Sequence, residues 1–314
     1  MNKKIMFASM FFFSVFLISN TKAFDPVSHY YLATRFLTET NNQVSNLCRN
    51  YPREFIFGTI NVDHSIAYYY LEGGKIYKLF HNWAYYKSCQ DISVTPAEHC
   101  MCYGIALGHY VPDSFAHNFM IPDEIRLYKQ QNWYFHPLIE GRIAASIIKE
   151  HPEAYAGVQS SLDVGFENPR LIQILQYAAG TDSPVDVKQN LLVFKTLLGK
   201  NWIDVYRPGE DNIIGKYVWP TLATVIASMS NYDDAKPYFE KSLTLMNRMG
   251  NDMSLYNQCD NNACPLYPHG FDALDAANAE VYSSTILIGL VLLGIIVFIF
   301  LRIFKPKKIK MVRW

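Results

Sequence analysis

The chain has 314 residues, of which half are hydrophobic and 15% are aromatic. This composition excludes an intrinsically disordered protein, and the length excludes a small domain that depends on disulfides to form a core. The 28 basic and 28 acidic residues cancel overall, but nine of the basic residues lie in the first 23 and the last 13 positions. Residues 24–280 therefore carry a net charge of −9, which argues against nucleic-acid phosphate as the main partner.

The first 23 residues have the pattern of a secretory signal peptide. Two lysines near the start precede an apolar run over residues 5–18, and the small residues Thr21 and Ala23 precede the predicted cleavage site. The apolar run is short for a membrane span, which favours a cleaved signal over an uncleaved anchor. Cleavage after Ala23 makes Phe24 the first residue of an exported protein.

The exported part, residues 24–280, is predicted to form a single all-α domain. Apolar residues recur at three- and four-residue spacing, the period of an amphipathic helix, whereas the alternation typical of strands is scarce. The predicted helical segments are residues 30–37, 100–119, 138–148, 171–178, 191–198 and 219–229. Clusters of turn-forming residues separate them, at residues 72–74, 180–184, 207–209 and 231–234.

All six cysteines lie in the exported part, where an oxidising compartment favours disulfides. They are Cys48, Cys89, Cys100, Cys102, Cys259 and Cys264. Cys259 and Cys264 enclose only four residues and are predicted to pair locally. The other four allow three pairings, although Cys100 and Cys102 face apart on a predicted helix and should not pair with each other. A zinc site made of cysteines is disfavoured because no C-x-x-C pair occurs.

Five of the nine histidines stand at spacings that suit metal binding. The strongest pattern is His109, Asp113 and His117, which occupy positions i, i+4 and i+8 and share one face of an α-helix. Apolar neighbours mark this helix as buried, and buried His and Asp side chains need partners that a metal ion provides. Metal binding is therefore favoured over structural hydrogen bonding alone.

Further candidate ligands lie on both sides of this run. His136 and Glu140 form an i, i+4 pair at the start of a predicted helix. His29 lies one turn into a helix that begins after Asp25, and Asp63 and His81 complete the set. Each of these elements is weak alone, because a His-x-x-x-Glu pair is also common on solvated helix faces.

A segment near the carboxyl end is predicted to span a membrane. Residues 281–301 form a 21-residue uncharged stretch, which at ~1.5 Å per residue crosses a ~30 Å hydrocarbon core as a helix. The tail, residues 302–314, holds six Lys or Arg and no acidic residue, so the positive-inside rule places it in the cytoplasm. The sequence thus predicts a single-pass membrane protein whose residues 24–280 are periplasmic or extracellular.

The order of these motifs resembles that of the zinc-dependent phospholipase C family and, more distantly, that of the S1/P1-type nucleases. The resemblance covers roughly residues 24–150 and consists of an N-terminal aromatic residue, then His, Asp, His, HxxxDxxxH and HxxxE. It implies an all-helical enzyme with a cluster of three zinc ions. The short spacing from Asp113 to His117 looks more like the branch that contains glycosylphosphatidylinositol phospholipase D, which leaves open the side of the phosphorus that is cleaved.

Carried over by position, the resemblance implies three groups of zinc ligands. The first ion is expected to bind Asp63, His81, His109 and Asp113. The second is expected to bind the amine and carbonyl of Phe24 together with His29, with Asp113 as a bridge between the two ions. The third is expected to bind His117, His136 and Glu140.

For catalysis, Asp63 is the candidate that orients or deprotonates the attacking water. No nucleophilic motif such as G-x-S-x-G occurs, and metal-activated water needs none. Tyr69 and Phe80 belong to an aromatic group that could bind a choline head group through cation–π contacts. Ordinary packing in the core or at its rim is the more common role for such residues.

The leading hypothesis is a membrane-anchored, zinc-dependent phosphodiesterase that hydrolyses phospholipids, with no nucleic acid as a partner. A nuclease or nucleotidase of the S1/P1 type would use the same chemistry, and the acidic body counts modestly against it. A non-catalytic, zinc-stabilised ectodomain that binds a partner is the third alternative. It is disfavoured because a structural zinc site uses fewer ligands than this set offers.

Overall fold

The structure is a computed structural model that describes residues 25–65, 79–120, 143–144, 146–180, 185–197 and 232–252. Within these ranges the chain is helical and contains no β-strand, which confirms the all-α prediction for this part of the protein. None of the helices in these ranges is both long and apolar enough to cross a membrane. The predicted signal peptide, residues 1–23, and the predicted membrane span, residues 281–301, lie outside them.

The described α-helices are numbered in chain order. They are α1 (Pro26–Glu39), α2 (Gln43–Cys48), α3 (Pro52–Asn61), α4 (Trp83–Ile92), α5 (Pro96–Tyr103), α6 (Val111–Phe115), α7 (Glu153–Glu167), α8 (Pro169–Ala178), α9 (Val187–Leu197) and α10 (Tyr232–Asn251). A 3-10 turn, Val62–Ser65, follows α3. Residues 96–120 form one continuous helix, named the long helix below, in which α5 and α6 alternate with two π-helical segments, Gly104–Tyr110 and Ala116–Met120.

Short polar side chains and prolines start several of these helices. Main-chain amides in the first turn donate to the side chains of Asp25, Asn42, Asn82, Thr95 and Asn168, which satisfies donors that have no partner inside a helix. Helices α1, α3, α5 and α8 begin with proline, whose fixed φ suits the first helical position. These local preferences determine where each helix enters the core.

Helix α3 lies against α1, α7 and the long helix. Phe55 of α3 is fully buried and stacks on Phe36 of α1 with ring centroids 5.5 Å apart. Gly58 allows the long helix to approach closely, since a β-carbon at this position would lie 1.8 Å from the carbonyl oxygen of Met101. The contact between α3 and the long helix is therefore a backbone-to-backbone contact that a larger residue would force apart.

Two disulfides hold α5 from two directions. Cys48–Cys100 joins α2 to α5, and Cys89–Cys102 joins α4 to α5, with Cα atoms 5.4 and 5.7 Å apart. This pattern selects one of the three pairings that the sequence left open, and it confirms that Cys100 and Cys102 do not bond to each other. The second pair predicted from the sequence, Cys259 with Cys264, lies outside the described residues.

The predicted helical segments agree with the structure where both can be compared. Residues 30–37, 171–178 and 191–198 correspond to α1, α8 and α9, which begin two to four residues earlier. The turn predicted at residues 231–234 is wrong, because α10 begins at Tyr232. Acidic residues suit the positive end of a helix as well as they suit a turn, so this cluster was ambiguous.

Candidate metal centre

Five of the predicted zinc ligands come together in space. His29 is supplied by α1, Asp63 by the 3-10 turn after α3, and His81 by the residues that precede α4. His109 and Asp113 are supplied by the long helix. The side chain of His81 is 8% exposed, and the other four residues are buried. The cluster therefore places three imidazoles and two carboxylates in a site that excludes most of the solvent.

Asp113 lies between two of the histidines. Its Oδ1 is 3.0 Å from Nε2 of His29, and its Oδ2 is 3.3 Å from Nε2 of His109. The two imidazole rings stack with centroids 4.1 Å apart and an angle of 20° between their planes. Each oxygen of this single carboxylate thus faces a different imidazole, as the predicted bridging role requires.

The Nε2 atom of His109 is also close to the other members of the cluster. It lies 3.2 Å from Nε2 of His81 and 3.8 Å from Oδ1 of Asp63. The same Asp63 oxygen is 3.8 Å from Nε2 of His81. One imidazole nitrogen therefore faces two carboxylates and a second imidazole nitrogen.

Asp63 is a fully buried carboxylate whose oxygens lack hydrogen bonds. Its exposed fraction is 0%, and neither Oδ1 nor Oδ2 has a hydrogen-bond partner among the described residues. Burial of a carboxylate without such partners is costly, and proteins normally compensate it with a counter-charge or a metal ion. Asp63 is therefore the group in the cluster that a bound cation would compensate most.

Main-chain carbonyl groups orient two of the imidazoles. Nδ1 of His29 lies 3.0 Å from the carbonyl oxygen of Gly108, and Nδ1 of His109 lies 3.1 Å from that of Thr59. Because a carbonyl oxygen only accepts hydrogen bonds, Nδ1 carries the proton in both rings. This arrangement is typical of metal-binding histidines, since it directs the Nε2 lone pair of the neutral ring toward the ion.

The charges in the cluster are unevenly distributed. Burial, together with the neighbouring His29, lowers the pKa of His109 to about 4. Burial also raises the pKa of Asp63 well above its usual range. Burial alone would raise the pKa of Asp113, but the neighbouring His109 and His29 hold it well below the usual range. A neutral His109 thus presents a nitrogen lone pair to carboxylate oxygens, an arrangement that a shared cation would stabilise.

The distances agree with the dimensions of a zinc site. Zn–N and Zn–O bonds of about 2.0–2.2 Å place two ligand atoms of a tetrahedral site about 3.3–3.6 Å apart. The ligand-atom separations reported above range from 3.0 to 3.8 Å. Two overlapping triplets have all their ligand atoms within 4.8 Å of one another: His29, Asp63 and His109, and His81, His109 and Asp113. These buried groups could hold a metal ion, and their composition fits zinc.

The helix that carries this cluster is not a uniform α-helix. The predicted common face of His109, Asp113 and His117 assumed a constant step of about 100° per residue. His109 lies in the first π-helical segment and His117 in the second, with α6 between them. His109 and Asp113 nevertheless meet, with 3.3 Å between Nε2 and Oδ2, and π segments are frequent at functional sites.

The remaining predicted ligands cannot be placed in the site. Phe24, His136 and Glu140 lie outside the described residues, as does the predicted substrate contact Tyr69. His117 lies in the second π-helical segment, but its side chain is not described. The third predicted zinc ion and the main-chain ligand of the second therefore stay predictions.

Phe80, the other predicted substrate contact, lies in the core. Its exposed fraction is 0%. Its ring makes T-shaped contacts with the rings of His64 and Tyr85, with centroids 4.4 and 5.0 Å away. No part of this ring is available to a choline head group in the structure. The placement favours the packing role that was the alternative for this residue.

Sequence reasoning missed the groups that position the ligands. Tyr110 donates a hydrogen bond from its hydroxyl to the carbonyl oxygen of Phe80, next to His81. The carbonyls of Thr59 and Gly108 were missed because a main-chain acceptor leaves no residue-type signature. For Gly108 one indirect sign existed, since the residue four positions later is Pro112, which has no amide hydrogen.

Comparison of the chain with family models, with curated proteins and with solved structures finds no match. The structural description is therefore that of an all-α protein, within the described ranges, with two disulfides and a buried His/Asp cluster that could hold a metal ion. The resemblance to the zinc-dependent phospholipase C family depends on the order of the sequence motifs alone.

Proposed function

We propose that this protein is a zinc-dependent phosphodiesterase of the phospholipase C type, which hydrolyses phospholipids while anchored to a membrane. The observation that carries the proposal is the buried cluster of three imidazoles and two carboxylates, in which both Asp63 oxygens lack hydrogen bonds within the described ranges. A metal ion bound in the cluster would compensate this carboxylate, and a hydrolytic metal site would also use it in proton transfer.

The described residues offer ligands for at least one ion. Because His109 has a single lone pair on Nε2, it can bind one ion only, and the two overlapping triplets therefore describe one shared centre rather than two complete ones. The amine of Phe24 and the side chains of His117, His136 and Glu140 would extend this centre to three ions. When bound, zinc supplies positive charge that neutralises a phosphodiester and makes water acidic enough to react near neutral pH.

The protein's own residues contribute orientation and proton transfer. Both Asp63 oxygens lack hydrogen bonds within the described ranges, so one would be available to bind the ion and the other to accept a proton from water. His29 and His109 are held by main-chain carbonyls, so their Nε2 atoms do not need to reorganise when substrate arrives.

The membrane-anchored part of the proposal is supported by the uncharged residues 281–301 and by the basic tail after them. Tethering raises the effective concentration of the site over lipid without any new contact. Removal of residues 281–314 should therefore reduce hydrolysis of bilayer lipid much more than hydrolysis of a dispersed short-chain lipid. Equal rates on the bilayer with and without the segment would reject this role for it.

The direct test is an assay of the zinc-loaded protein on phosphatidylcholine, phosphatidylinositol and single-stranded DNA. We expect hydrolysis of a phospholipid, and identification of the lipid product as diacylglycerol or phosphatidate establishes which bond is cleaved. Asp63→Asn should reduce the rate by about 10²- to 10⁴-fold, the contribution typical of an acid–base group. Asp91→Asn, a change at an exposed position of α4, is the matched control and should leave the rate unchanged.

Two results would reject the proposal. The first is a zinc-loaded, folded protein that hydrolyses neither lipid. The second is preferential cleavage of single-stranded DNA, which would favour the nuclease alternative. An Asp63→Asn variant with full activity would show that Asp63 is not catalytic, without rejecting the proposed phosphodiesterase reaction.

A further inference from the structure

One of the close approaches between α3 and the long helix occurs at the metal centre. Gly108 faces Thr59 so closely that a β-carbon on Gly108 would lie 1.9 Å from Oγ1 of Thr59 and 2.9 Å from its Cβ and Cγ2. Contacts below 3.0 Å are not tolerated between such atoms, so only glycine fits without a shift of one helix. The overlap involves a short, β-branched side chain that has little freedom to move away.

The same two residues hold both stacked imidazoles of the cluster. The carbonyl of Gly108 accepts from Nδ1 of His29, and the carbonyl of Thr59 accepts from Nδ1 of His109. Each helix therefore supplies a carbonyl oxygen to an imidazole of another element. The bond from His109 to Thr59 crosses the contact between α3 and the long helix, so a displacement of α3 would lengthen or break it. The bond from His29 to Gly108 joins α1 to the long helix at the same place.

Both carbonyl groups are available for local reasons. Thr59 belongs to the last turn of α3, whose final four carbonyls have no partner inside an α-helix. An α-helical bond to the carbonyl of Gly108 would come from position 112, and Pro112 has no amide hydrogen to donate. The first π-helical segment ends at Tyr110, two residues before this proline.

We propose that Gly108 is a positioning residue of the metal centre, assisted by Pro112. The absence of a side chain at position 108 lets α3 approach until the Thr59 carbonyl reaches His109, and Pro112 leaves the Gly108 carbonyl to His29. This inference rests on the metal centre of the proposed function but not on the substrate. Outer partners of this kind typically change metal affinity by 10- to 100-fold.

The test measures metal affinity rather than activity. Full-length wild-type protein and variants, with disulfides intact and folding verified by circular dichroism, are titrated with Co²⁺ and with Zn²⁺ against a chelator. The visible absorption of bound Co²⁺ reports the geometry around the ion. Gly108→Ala should lower the affinity at least about tenfold and alter the Co²⁺ spectrum.

A matched control separates positioning from general destabilisation. Gly165 of α7 is similarly crowded, since a β-carbon there would lie 2.5 Å from Cζ of Phe57, but it makes no contact with the cluster. Gly165→Ala should lower thermal stability while the folded protein keeps its metal affinity and Co²⁺ spectrum. If Gly108→Ala loses no more affinity than Gly165→Ala, the proposal is overturned.

Two further variants decide the matter even if Gly108→Ala fails to fold. Thr59→Gly combined with Gly108→Ala removes the three overlapping atoms and keeps the Thr59 carbonyl, so it should recover most of the lost affinity. Pro112→Ala restores an amide that competes for the Gly108 carbonyl, and its affinity should fall below that of Gly165→Ala. Wild-type affinity in Pro112→Ala together with a weak-binding double variant would overturn the proposal.

These outcomes are distinguishable from failure of the proposed function. A protein that binds zinc, responds to Gly108→Ala and hydrolyses no phospholipid would reject the function and retain this inference. A protein that hydrolyses phospholipid and keeps its metal affinity in Gly108→Ala would support the function and reject this inference. A wild-type protein that binds neither metal would overturn both.

Discussion

The first half of the long helix, α5, and its second half, residues 104–120, satisfy their polar groups in different ways. In α5 the carboxylate of Glu98 accepts hydrogen bonds from the amides of Val94 and Thr95 at 2.7 and 3.1 Å, and the hydroxyl of Thr95 accepts from the Glu98 amide. Arg170 lies 3.4 Å from the same carboxylate. Two disulfides join this half to α2 and α4. Each of these groups has its partner within the protein.

The second half, residues 104–120, brings His109 and Asp113 into a buried cluster with Asp63. There the helix takes π turns, and a carboxylate is buried without hydrogen bonds among the described residues. The comparison shows that the polar groups of α5 are satisfied by the protein itself, whereas the cluster of the neighbouring half could hold the metal ion of the proposed function. The predictions below test whether the two halves respond independently.

The largest effect is expected from Asp113→Asn. This change removes the carboxylate that faces both His29 and His109. A zinc site is worth about 10–16 kcal/mol, so loss of one ligand in four should cost about 4 kcal/mol or on the order of 1,000-fold in affinity. Zinc titration against a chelator measures this loss, with Asp91→Asn as the exposed control. Near-normal affinity in Asp113→Asn would show that this residue is not a ligand.

The next effect concerns the disulfides. Replacing Cys89 and Cys102 together by alanine removes a crosslink between residues 13 apart, which should lower the free energy of unfolding by about 3 kcal/mol. The corresponding loss for Cys48 and Cys100, which are 52 apart, should be about 4 kcal/mol. Denaturant unfolding of the metal-free protein measures both losses. Zinc affinity at low denaturant should change little, and a parallel fall in affinity would contradict the independence of the two halves.

A smaller effect is expected from Tyr110→Phe. The Tyr110 hydroxyl donates to the carbonyl of Phe80 and so fixes the chain next to His81. Loss of one hydrogen bond is worth about 1 kcal/mol, which corresponds to roughly fivefold in zinc affinity. Tyr85→Phe is the control, because the buried Tyr85 hydroxyl has no hydrogen-bond partner in the described part. Equal zinc affinities in the two variants would show that the Tyr110 hydroxyl does not stabilise the metal centre.

The smallest effect concerns Glu98→Gln and depends on pH. Burial acts to raise the pKa of Glu98, but hydrogen bonds from the Val94 and Thr95 amides and from Arg170 hold it below its usual value. A carboxyl with a lowered folded-state pKa stabilises the fold above its unfolded pKa of about 4.3 and loses this contribution as the pH falls further. The variant should be less stable by about 0.5–1 kcal/mol at pH 7.

The same comparison at pH 3 provides the check on Glu98. Denaturant unfolding there should show a smaller difference between wild type and Glu98→Gln than at pH 7, because protonation of the wild-type carboxyl at low pH removes the contribution of its charge. A difference that grows toward pH 3 would show that the charge of Glu98 opposes folding. Zinc affinity of the variant at pH 7 should equal that of wild type.

The sequence predicted helices best where one face is buried. Helix α1 follows from the proline at position 26 and from apolar spacing, and α8 follows from a strong apolar stripe. Helix α3 was not predicted, because its second half is buried and its exposed residues, Pro52 and Arg53, lie only in the first turn, where they do not reveal a helical period. The π turns of the long helix were not predicted either.

The ligand residues could be predicted, but their supports could not. His109 and Asp113 are four residues apart, so their proximity follows from local geometry. The approach of His29 and Asp63 to them depends on tertiary packing, for which only the resemblance to a known motif order gave an indication. The disulfide pairing was undetermined for the same reason, since which cysteine reaches α5 depends on how α2 and α4 pack.

The most direct test of this account is the zinc content of the purified protein. Elemental analysis of a folded sample, prepared without chelators and with its disulfides intact, gives the number of zinc ions per chain. We expect close to three ions per chain, since the predicted ligands comprise eight side chains and the Phe24 main chain. One zinc ion or none per folded chain would contradict the trinuclear centre, and none would also contradict the cation that the buried Asp63 is inferred to require.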